Sequence, residues 1–169
     1  MTHLTAASTS RSSAMAIVAR LRGWLDAVSY SLLAIPLRAA VATVFWKSGT
    51  AKLANWETTV YLFVDEYKLP FIPPQSAAFL AAAIELATPI LLVLGLLTRP
   101  AAVVLLAMTA VIQIFVYPMA WPTHLQWAAM LLVLLCRGPG KISLDHLLLL
   151  FGSGASGFDG SSVGRRAGK

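Results

Sequence analysis

Charged residues are scarce in this chain, and their scarcity decides the class of protein. Only 12% of its 169 residues are charged, seven of them acidic, whereas 58% are hydrophobic. A soluble domain carries about a quarter charged residues, because charged side chains cover its surface. The composition therefore excludes an ordinary water-soluble domain and predicts a protein whose first partner is the lipid bilayer.

Cysteine and histidine are also in short supply. The single cysteine, Cys136, excludes an intrachain disulfide and a redox pair of cysteines. The three histidines, His3, His124 and His146, lie in different segments without the spacing of metal ligands. Basic residues flank apolar runs and are not interleaved with aromatic side chains, so nucleic acid is not an expected partner. We predict no metal site and no intrinsic cofactor.

Long apolar runs are what the chain has in abundance. A helix needs about 20 apolar residues to cross the hydrocarbon core of a bilayer. The runs predicted to span the membrane cover residues 27–48, 76–97, 100–117 and 123–136. The short connection between the second and third spans makes those two helices antiparallel neighbours. Thr123-His124-Leu125-Gln126 fits a capping box at the start of the last helix. The predicted fold is an all-α, four-helix transmembrane bundle.

Residues 55–68, between the first two spans, are more polar. Their apolar side chains recur at helical spacing, while Glu57, Asp65 and Glu66 lie off that stripe. Asn55 is predicted to cap the helix. The segment is too charged to span, so we predict an amphipathic helix in the membrane interface. A soluble loop helix packed on the bundle is the alternative.

The two ends of the chain differ from its middle. We predict a basic, disordered segment over residues 1–26, a membrane domain over 27–151, and a disordered Gly/Ser-rich basic tail over 152–169. Within the membrane domain, residues 143–151 are expected to form a short interfacial helix. A cleaved signal peptide is the alternative for the N-terminus, but Pro36 and Arg38 inside the apolar run argue against it.

Basic residues outside the spans predict the orientation, with both termini in the cytoplasm. In this arrangement the cytoplasmic side holds Arg11, Arg20, Arg22, Arg99, Arg137, Lys141, Arg165, Arg166 and Lys169. The opposite side holds only Lys47, Lys52 and Lys68. Cytoplasmic loops carry the excess of basic residues in membrane proteins, which favours this orientation.

Arg38 and Glu85 are the charged residues that the sequence places deepest in the spans. Each lies about ten residues into its helix, which is near the midplane of a core about 30 Å thick. A charged side chain there costs roughly 2.5 to 3.5 kcal/mol unless a partner stabilises it. We therefore predict a direct Arg38–Glu85 pair. It either fixes helix register or forms part of a ligand or proton site.

Further polar residues are predicted to extend this pair into a pocket that opens outward. Lys52 lies above Arg38 at helical spacing, and Thr109, Gln113 and Tyr117 recur every four residues on the third span. His124 begins the fourth span at the same level. An interhelical hydrogen bond is the alternative for Gln113, and a solvated interfacial position is the alternative for His124.

Several short motifs occur in a fixed order along the chain. They are Leu37-Arg38 leading to Phe45, Gly49 and Lys52-Leu53, then Glu85-Leu86, Gly95-Leu96-Leu97-Thr98-Arg99, and Gly140 before Ser143-Leu144-Asp145. Over residues 32–148 this order resembles the DoxX family of small bacterial membrane proteins. The resemblance implies four-helix proteins of the bacterial inner membrane. Some members resemble membrane subunits of thiosulfate:quinone oxidoreductase, and others resemble partners in thiol or oxidative-stress handling.

Three hypotheses of function follow. The first is a membrane subunit of a redox system whose Arg38, Glu85 and Gln113 pocket binds a quinone headgroup, with electrons supplied by a redox partner protein. The second is a non-catalytic anchor or assembly module that recruits a partner through residues 55–68. The third is a small transporter of anions or thiol compounds, which would need a homo-oligomer to form a path.

Overall fold

The computed structural model describes the backbone of residues 4–155 and the side chains of residues 15–151. Every regular element in this part of the chain is helical, which confirms the predicted all-α fold. The α-helices are α1 (Leu4–Asp26), α2 (Tyr30–Ala54), α3 (Trp56–Leu62), α4 (Pro74–Leu94), α5 (Thr98–Val111), α6 (Trp121–Arg137) and α7 (Leu144–Ala155). Two π-helical turns, Phe63–Tyr67 and Ile112–Val116, extend α3 and α5.

Three helical stretches are long and apolar enough to cross a membrane. They are Pro74–Leu94, Thr98–Val116 and Pro118–Arg137. Met15–Asp26 and Tyr30–Ala54, which are bent by 69° at their junction, pass the same test together and bring the number of spans in the described residues to four when they are counted as one. These lengths fit the predicted four-helix bundle, in which α2 lies beside α4.

The N-terminal segment differs from its predicted disorder, because Leu4–Asp26 forms the helix α1. Alanine, leucine and arginine are frequent in this segment, and all three have high helix propensity. Trp24 is 81% exposed and Leu25 is 71% exposed. The end of α1 therefore does not pack into the bundle, and its apolar side chains add to the exposed apolar surface next to the first span.

The first span itself begins and ends later than predicted. Helix α2 starts at Tyr30 and continues to Ala54, six residues beyond the predicted end at residue 48. Gly49 does not break it, because that glycine lies on the face packed against α4. A Cβ atom at Gly49 would come within 3.0 Å of the Glu85 Cβ, so only a small residue fits there.

The centre of the bundle is a compact apolar core. Its fully buried members come from all four long helices and are Val41, Ala42, Phe45, Leu92, Ala101, Ala102, Leu105, Leu131 and Leu134. The ring of Phe45 meets Trp127 edge to face, with 5.6 Å between the ring centroids. This core fixes α2 between α4 and α6 and so determines which polar side chains of α2 can meet α4.

The amphipathic segment between the first two spans is helical, as predicted, but it is not one uniform helix. It consists of α3 followed by the π-helical turn Phe63–Tyr67, and it ends at Lys68, whose φ of 41° is left-handed. The predicted Asn55 cap is wrong, because its side chain makes no capping bond. Thr59 instead fastens α3 to the bundle by donating its hydroxyl proton to the Lys52 carbonyl at 3.1 Å.

The predicted capping box of the fourth span is also wrong. Helix α6 begins at Trp121, before Thr123, and no side chain caps it. Pro122 in its first turn explains the early start, since proline is well suited to the first positions of a helix.

The short C-terminal helix α7 confirms the predicted helix over residues 143–151 and continues to Ala155. Its Asp145 carboxylate accepts bonds from the backbone N–H groups of Leu97 at 2.8 Å and Thr98 at 3.1 Å. These bonds fasten α7 to the start of α5. The predicted disordered tail falls mainly on residues 156–169, which lie outside the described part of the chain.

Candidate functional site

The strongest polar feature is an ion pair between Lys52 and Glu85. Lys52 Nζ lies 2.7 Å from Glu85 Oε2 and 2.9 Å from Oε1, and it also donates to Ser48 Oγ at 2.8 Å. Ser48 in turn donates to Glu85 Oε1 at 3.0 Å. The Glu85 side chain is only 2% exposed and that of Lys52 is 18% exposed. The carboxylate is thus buried with a cation and a hydroxyl as partners.

The predicted Arg38–Glu85 pair is therefore wrong, and helix register is the reason. Gly49, not Arg38, lies beside Glu85 on the facing helix. Eleven residues separate Arg38 from Gly49, which corresponds to about 16 Å along a helix. Depth counted from the start of each apolar run treats the two helices as level. Helix α2 is instead offset along α4, so that the Arg38 side chain reaches Gly95, where α4 ends.

Arg38 lies at the other end of the bundle, near Gly95. Its Nη2 donates to the Ile142 carbonyl at 3.0 Å, while its Nε and Nη1 find no partner among the described residues. The residue is 5% exposed. A Cβ atom at Gly95 would collide with Arg38 Nη1 and would lie 2.6 Å from the Ser143 Cβ. The guanidinium is therefore held by tight packing and one carbonyl.

A cavity of about 530 Å³ opens beside the Lys52–Glu85 pair. We call this part of the bundle, where α2 ends and α4 begins, the Lys52 end. Apolar side chains form most of the cavity wall, and the polar residues that line it are Ser48, Lys52, Tyr67, Glu85, Tyr117 and His124. A volume of this size is within the range of small-molecule sites in proteins.

His124 is the second ionisable group of the cavity wall, and its hydrogen bond defines its tautomer. Gln113 Nε2 donates to the Pro118 carbonyl at 2.8 Å, which leaves Gln113 Oε1 to accept a bond. His124 Nδ1 lies 2.6 Å from that oxygen, so Nδ1 carries the proton. In the neutral ring, Nε2 is then the basic nitrogen. Gln113 itself does not line the cavity, and its bond to His124 is the interhelical hydrogen bond that was its alternative role.

Two tyrosines join the interfacial segment to the third span at the cavity wall. The hydroxyl oxygens of Tyr67 and Tyr117 lie 3.1 Å apart, and their rings meet edge to face with centroids 5.8 Å apart. Each tyrosine directly ends or follows a π-helical turn. Burial and the bond to Tyr117 raise the pKa of the Tyr67 phenol above its usual range, so it stays protonated and can donate a hydrogen bond.

The structure thus brings together some of the predicted site residues and separates others. Lys52, Glu85, Tyr117 and His124 line one cavity. Thr109 is 4% exposed and does not line it, because its hydroxyl donates to the Leu105 carbonyl of its own helix at 2.7 Å. Sequence reasoning missed Ser48, although it lies four residues before Lys52, the spacing that places two residues on one helical face.

Within the described residues no group of three or more histidine, cysteine, aspartate or glutamate side chains could hold a metal ion. The polar groups of the cavity are a lysine, a carboxylate, an imidazole and hydroxyls. This set can donate hydrogen bonds to carbonyl oxygens and can exchange protons with a ligand. It suits an uncharged, largely apolar ligand with polar atoms at its edges.

Comparison with known proteins gives one match. The family model described as DoxX matches residues 33–118, about half of the chain. This range contains most of α2, all of α3, α4 and α5, and the two tyrosines of the cavity. Neither the curated proteins nor the solved structures include a match to this chain.

Proposed function

Because this chain belongs to the DoxX family, we propose that it is an integral membrane subunit of a redox system and binds a quinone headgroup. The observation that supports this function is the cavity at the Lys52 end. Its wall is apolar over most of its area, and a buried Lys–Glu pair and an imidazole form part of that wall.

The residues fit such a headgroup in shape and in chemistry. A quinone ring is flat and apolar, with carbonyl oxygens at opposite edges. Ile84, Val104 and Met108 supply apolar wall. Lys52 can redirect the N–H that it donates to Ser48 toward a ligand carbonyl, since Ser48 keeps its bond to Glu85. Tyr67 can donate a second bond once it separates from Tyr117.

A bound quinone supplies the chemistry of accepting electrons and protons together. In the proposed function Glu85 and His124 exchange the protons, because a carboxylate and an imidazole are common acid–base groups and both line the cavity. Gln113 keeps the imidazole in a fixed orientation through the bond at Nδ1. Electrons come from a redox partner protein.

The experiment is a titration of the purified protein in mild detergent with a short-chain quinone, followed by tryptophan fluorescence, because Trp127 lines the cavity. We expect saturable quenching in the wild type. Replacing Ala81, which lines the cavity, by leucine fills part of the space and should weaken binding. Lys47→Met, on the exposed part of the same helix as Lys52, is the matched control and should bind normally.

Two results would contradict quinone binding. One is equal quenching by a quinone and by a simple hydrocarbon of the same length, which would mean that the cavity takes any apolar molecule. The other is unchanged affinity in both Ala81→Leu and Lys52→Met proteins of native helix content.

A second function, a non-catalytic membrane anchor, has an observation of its own in its favour. Lys52, Glu85 and Ser48 already satisfy one another without a ligand, as expected of a purely structural ion pair. Tyr61 and Phe71, 63% and 88% exposed, lie at the same end and could receive a partner protein. In that case the double variant Lys52→Met/Glu85→Leu should still co-purify with the partner protein, and Tyr61→Ala should reduce the amount of partner that co-purifies.

We also propose the orientation that the basic residues favour, with both termini in the cytoplasm of a bacterial inner membrane. It places Arg99 and Arg137 on the cytoplasmic side and the Lys52 end on the opposite side. Labelling of single cysteines introduced at Lys68 and at Lys141 of a Cys136→Ser protein, in intact cells, tests it. Only the cysteine at position 68 should react with an impermeant reagent.

A further inference from the structure

A second concave surface lies at the opposite end of the bundle, which we call the Gly95 end. It is a groove of about 1130 Å³ between the start of α2, the start of α5 and the segment that links α6 to α7. The groove contains the basic residues Arg99, Arg137 and Lys141. All three are exposed.

Two of these cations are brought to the same point by the fold. Arg137 is the last residue of α6, and its guanidinium carbon lies 5.0 Å from the centre of the Tyr30 ring. Arg99, in the first turn of α5, lies against Gly138, the residue that follows Arg137. A Cβ atom there would be 3.6 Å from Arg99 Nε. The backbone of Lys141 is fixed on the third side by its N–H bond to Ser31 Oγ at 2.9 Å.

These cations form no salt bridge with an acidic side chain among the described residues. The ion pair between Lys52 and Glu85 is the single salt bridge of the described residues, so Arg99, Arg137 and Lys141 are in none. Asp145 also lines the groove, but both of its oxygens already accept backbone bonds from Leu97 and Thr98. Like charges held close together repel, and an anion from outside the chain would relieve that repulsion.

The rest of the groove is apolar and open. Leu97, Ile142 and Leu148 line it and are 54%, 53% and 59% exposed. The groove therefore combines a cationic region with an apolar region at the end of membrane-spanning helices. An anionic phospholipid has the same two parts, a phosphate headgroup and acyl chains, and basic pockets at the ends of such helices bind these lipids.

We propose that the groove at the Gly95 end binds an anionic phospholipid, with its phosphate between Arg99, Arg137 and Lys141 and its chains against Leu97, Ile142 and Leu148. This site is separate from the cavity at the Lys52 end and does not depend on quinone binding.

The test uses the full chain, purified in a nonionic detergent and titrated with phosphatidylglycerol or phosphatidylcholine of identical acyl chains. Native mass spectrometry counts the bound lipids. We expect the wild type to prefer phosphatidylglycerol. The Arg99→Gln/Lys141→Gln protein should bind it about 30-fold more weakly, since each basic residue near an anionic lipid contributes roughly a fivefold factor. Purified protein avoids any change of membrane orientation caused by removing basic residues.

The matched control is Lys47→Gln/Lys68→Gln, which removes the same charge at the other end and should change the affinity less than twofold. An equal loss in this control would overturn the proposal in favour of a general charge effect. Equal binding of both lipids would also overturn it, as would displacement of the lipid by millimolar inorganic phosphate, which would indicate a free-anion site. If the Gln variant fails to fold, salt titration of the wild type decides, because the preference must fall as ionic strength rises.

Discussion

The two ends of this bundle bury their charges in opposite ways. At the Lys52 end a carboxylate and an ammonium satisfy each other beside a cavity of about 530 Å³. At the Gly95 end the Arg38 guanidinium has one carbonyl partner and is enclosed by Gly95, Ser143 and Ile142. One end therefore combines a compensated charge with open space, and the other combines a poorly compensated charge with close packing.

The comparison suggests a division of roles along the membrane normal. A ligand site needs volume and polar groups that can exchange partners, which the Lys52 end provides. A helix junction needs fixed geometry, and at the Gly95 end α4 ends in a Schellman motif whose glycine has a φ of 67°. We therefore expect stability to depend on close packing at the Gly95 end and on charge pairing at the Lys52 end, and ligand binding to depend on the Lys52 end alone.

The largest expected loss of stability is from Gly95→Ala. The new methyl group would collide with Arg38 Nη1 and with Ser143, at a left-handed φ that alanine rarely adopts. We expect the free energy of unfolding to fall by about 4 kcal/mol, measured by heating the detergent-solubilised protein and following circular dichroism. Gly23→Ala is the control, since no atom lies within 4 Å of its Cβ position. A loss below about 1 kcal/mol would contradict close packing of Arg38 and Ser143 against Gly95.

Lys52→Met should have the next largest effect, about 3 kcal/mol of lost stability, because it leaves Glu85 buried without a cation. The double variant Lys52→Met/Glu85→Leu should recover most of this loss, and the same thermal measurement gives the coupling between the two residues. Lys47→Met controls for the loss of a lysine from α2. Additive effects of Lys52→Met and Glu85→Leu would contradict the pairing seen in the structure.

Arg38→Met should change stability by only about 1 kcal/mol in either direction. It removes one charge-assisted bond to Ile142 but also removes two buried N–H-bearing nitrogens that lack partners among the described residues. Thermal unfolding under the same conditions gives the change in the free energy of unfolding for Arg38→Met and for Lys52→Met, and the two values compare the two ends of the bundle. An Arg38→Met loss as large as that of Lys52→Met would mean that Arg38 has a strong partner in the membrane.

The smallest effect is expected from Thr109→Val, within about 0.5 kcal/mol, since the hydroxyl bonds only to its own helix. Quinone affinity should also be unchanged, because Thr109 does not line the cavity. Tyr117→Phe is the comparison, and the loss of its bond to Tyr67 should alter the quinone affinity. Equal weakening of quinone binding by both variants would extend the site to Thr109.

Much of the architecture could be predicted from residue patterns. The apolar runs gave the all-α fold, and the periodicity of residues 55–68 gave the helix between the first two spans. The pairing of charges could not be predicted in this way. Arg38 and Glu85 each had a plausible depth, but the offset between α2 and α4 is set by tertiary contacts. The Arg38 side chain reaches Gly95, where α4 ends, and Gly49 lies beside Glu85.

The structure brings part of the predicted set of site residues to one cavity and leaves the rest apart. Lys52, Glu85, Tyr117 and His124 share one cavity, whereas Arg38 and Thr109 lie outside it. Thr109, Gln113 and Tyr117 shared a predicted stripe, but the π-helical turn after Val111 changes the periodicity within it. Tyr67, on a loop helix, could be placed against Tyr117 only by the tertiary fold.

The sequence by itself determined that this chain is helical and embedded in a membrane, because hydropathy and the length of each apolar run are local properties of consecutive residues. Only the tertiary structure decided that Glu85 meets Lys52 while Arg38 meets the Ile142 carbonyl. Such pairings depend on the register between helices, which Gly49, Gly95 and the apolar core fix through contacts between residues far apart in the chain.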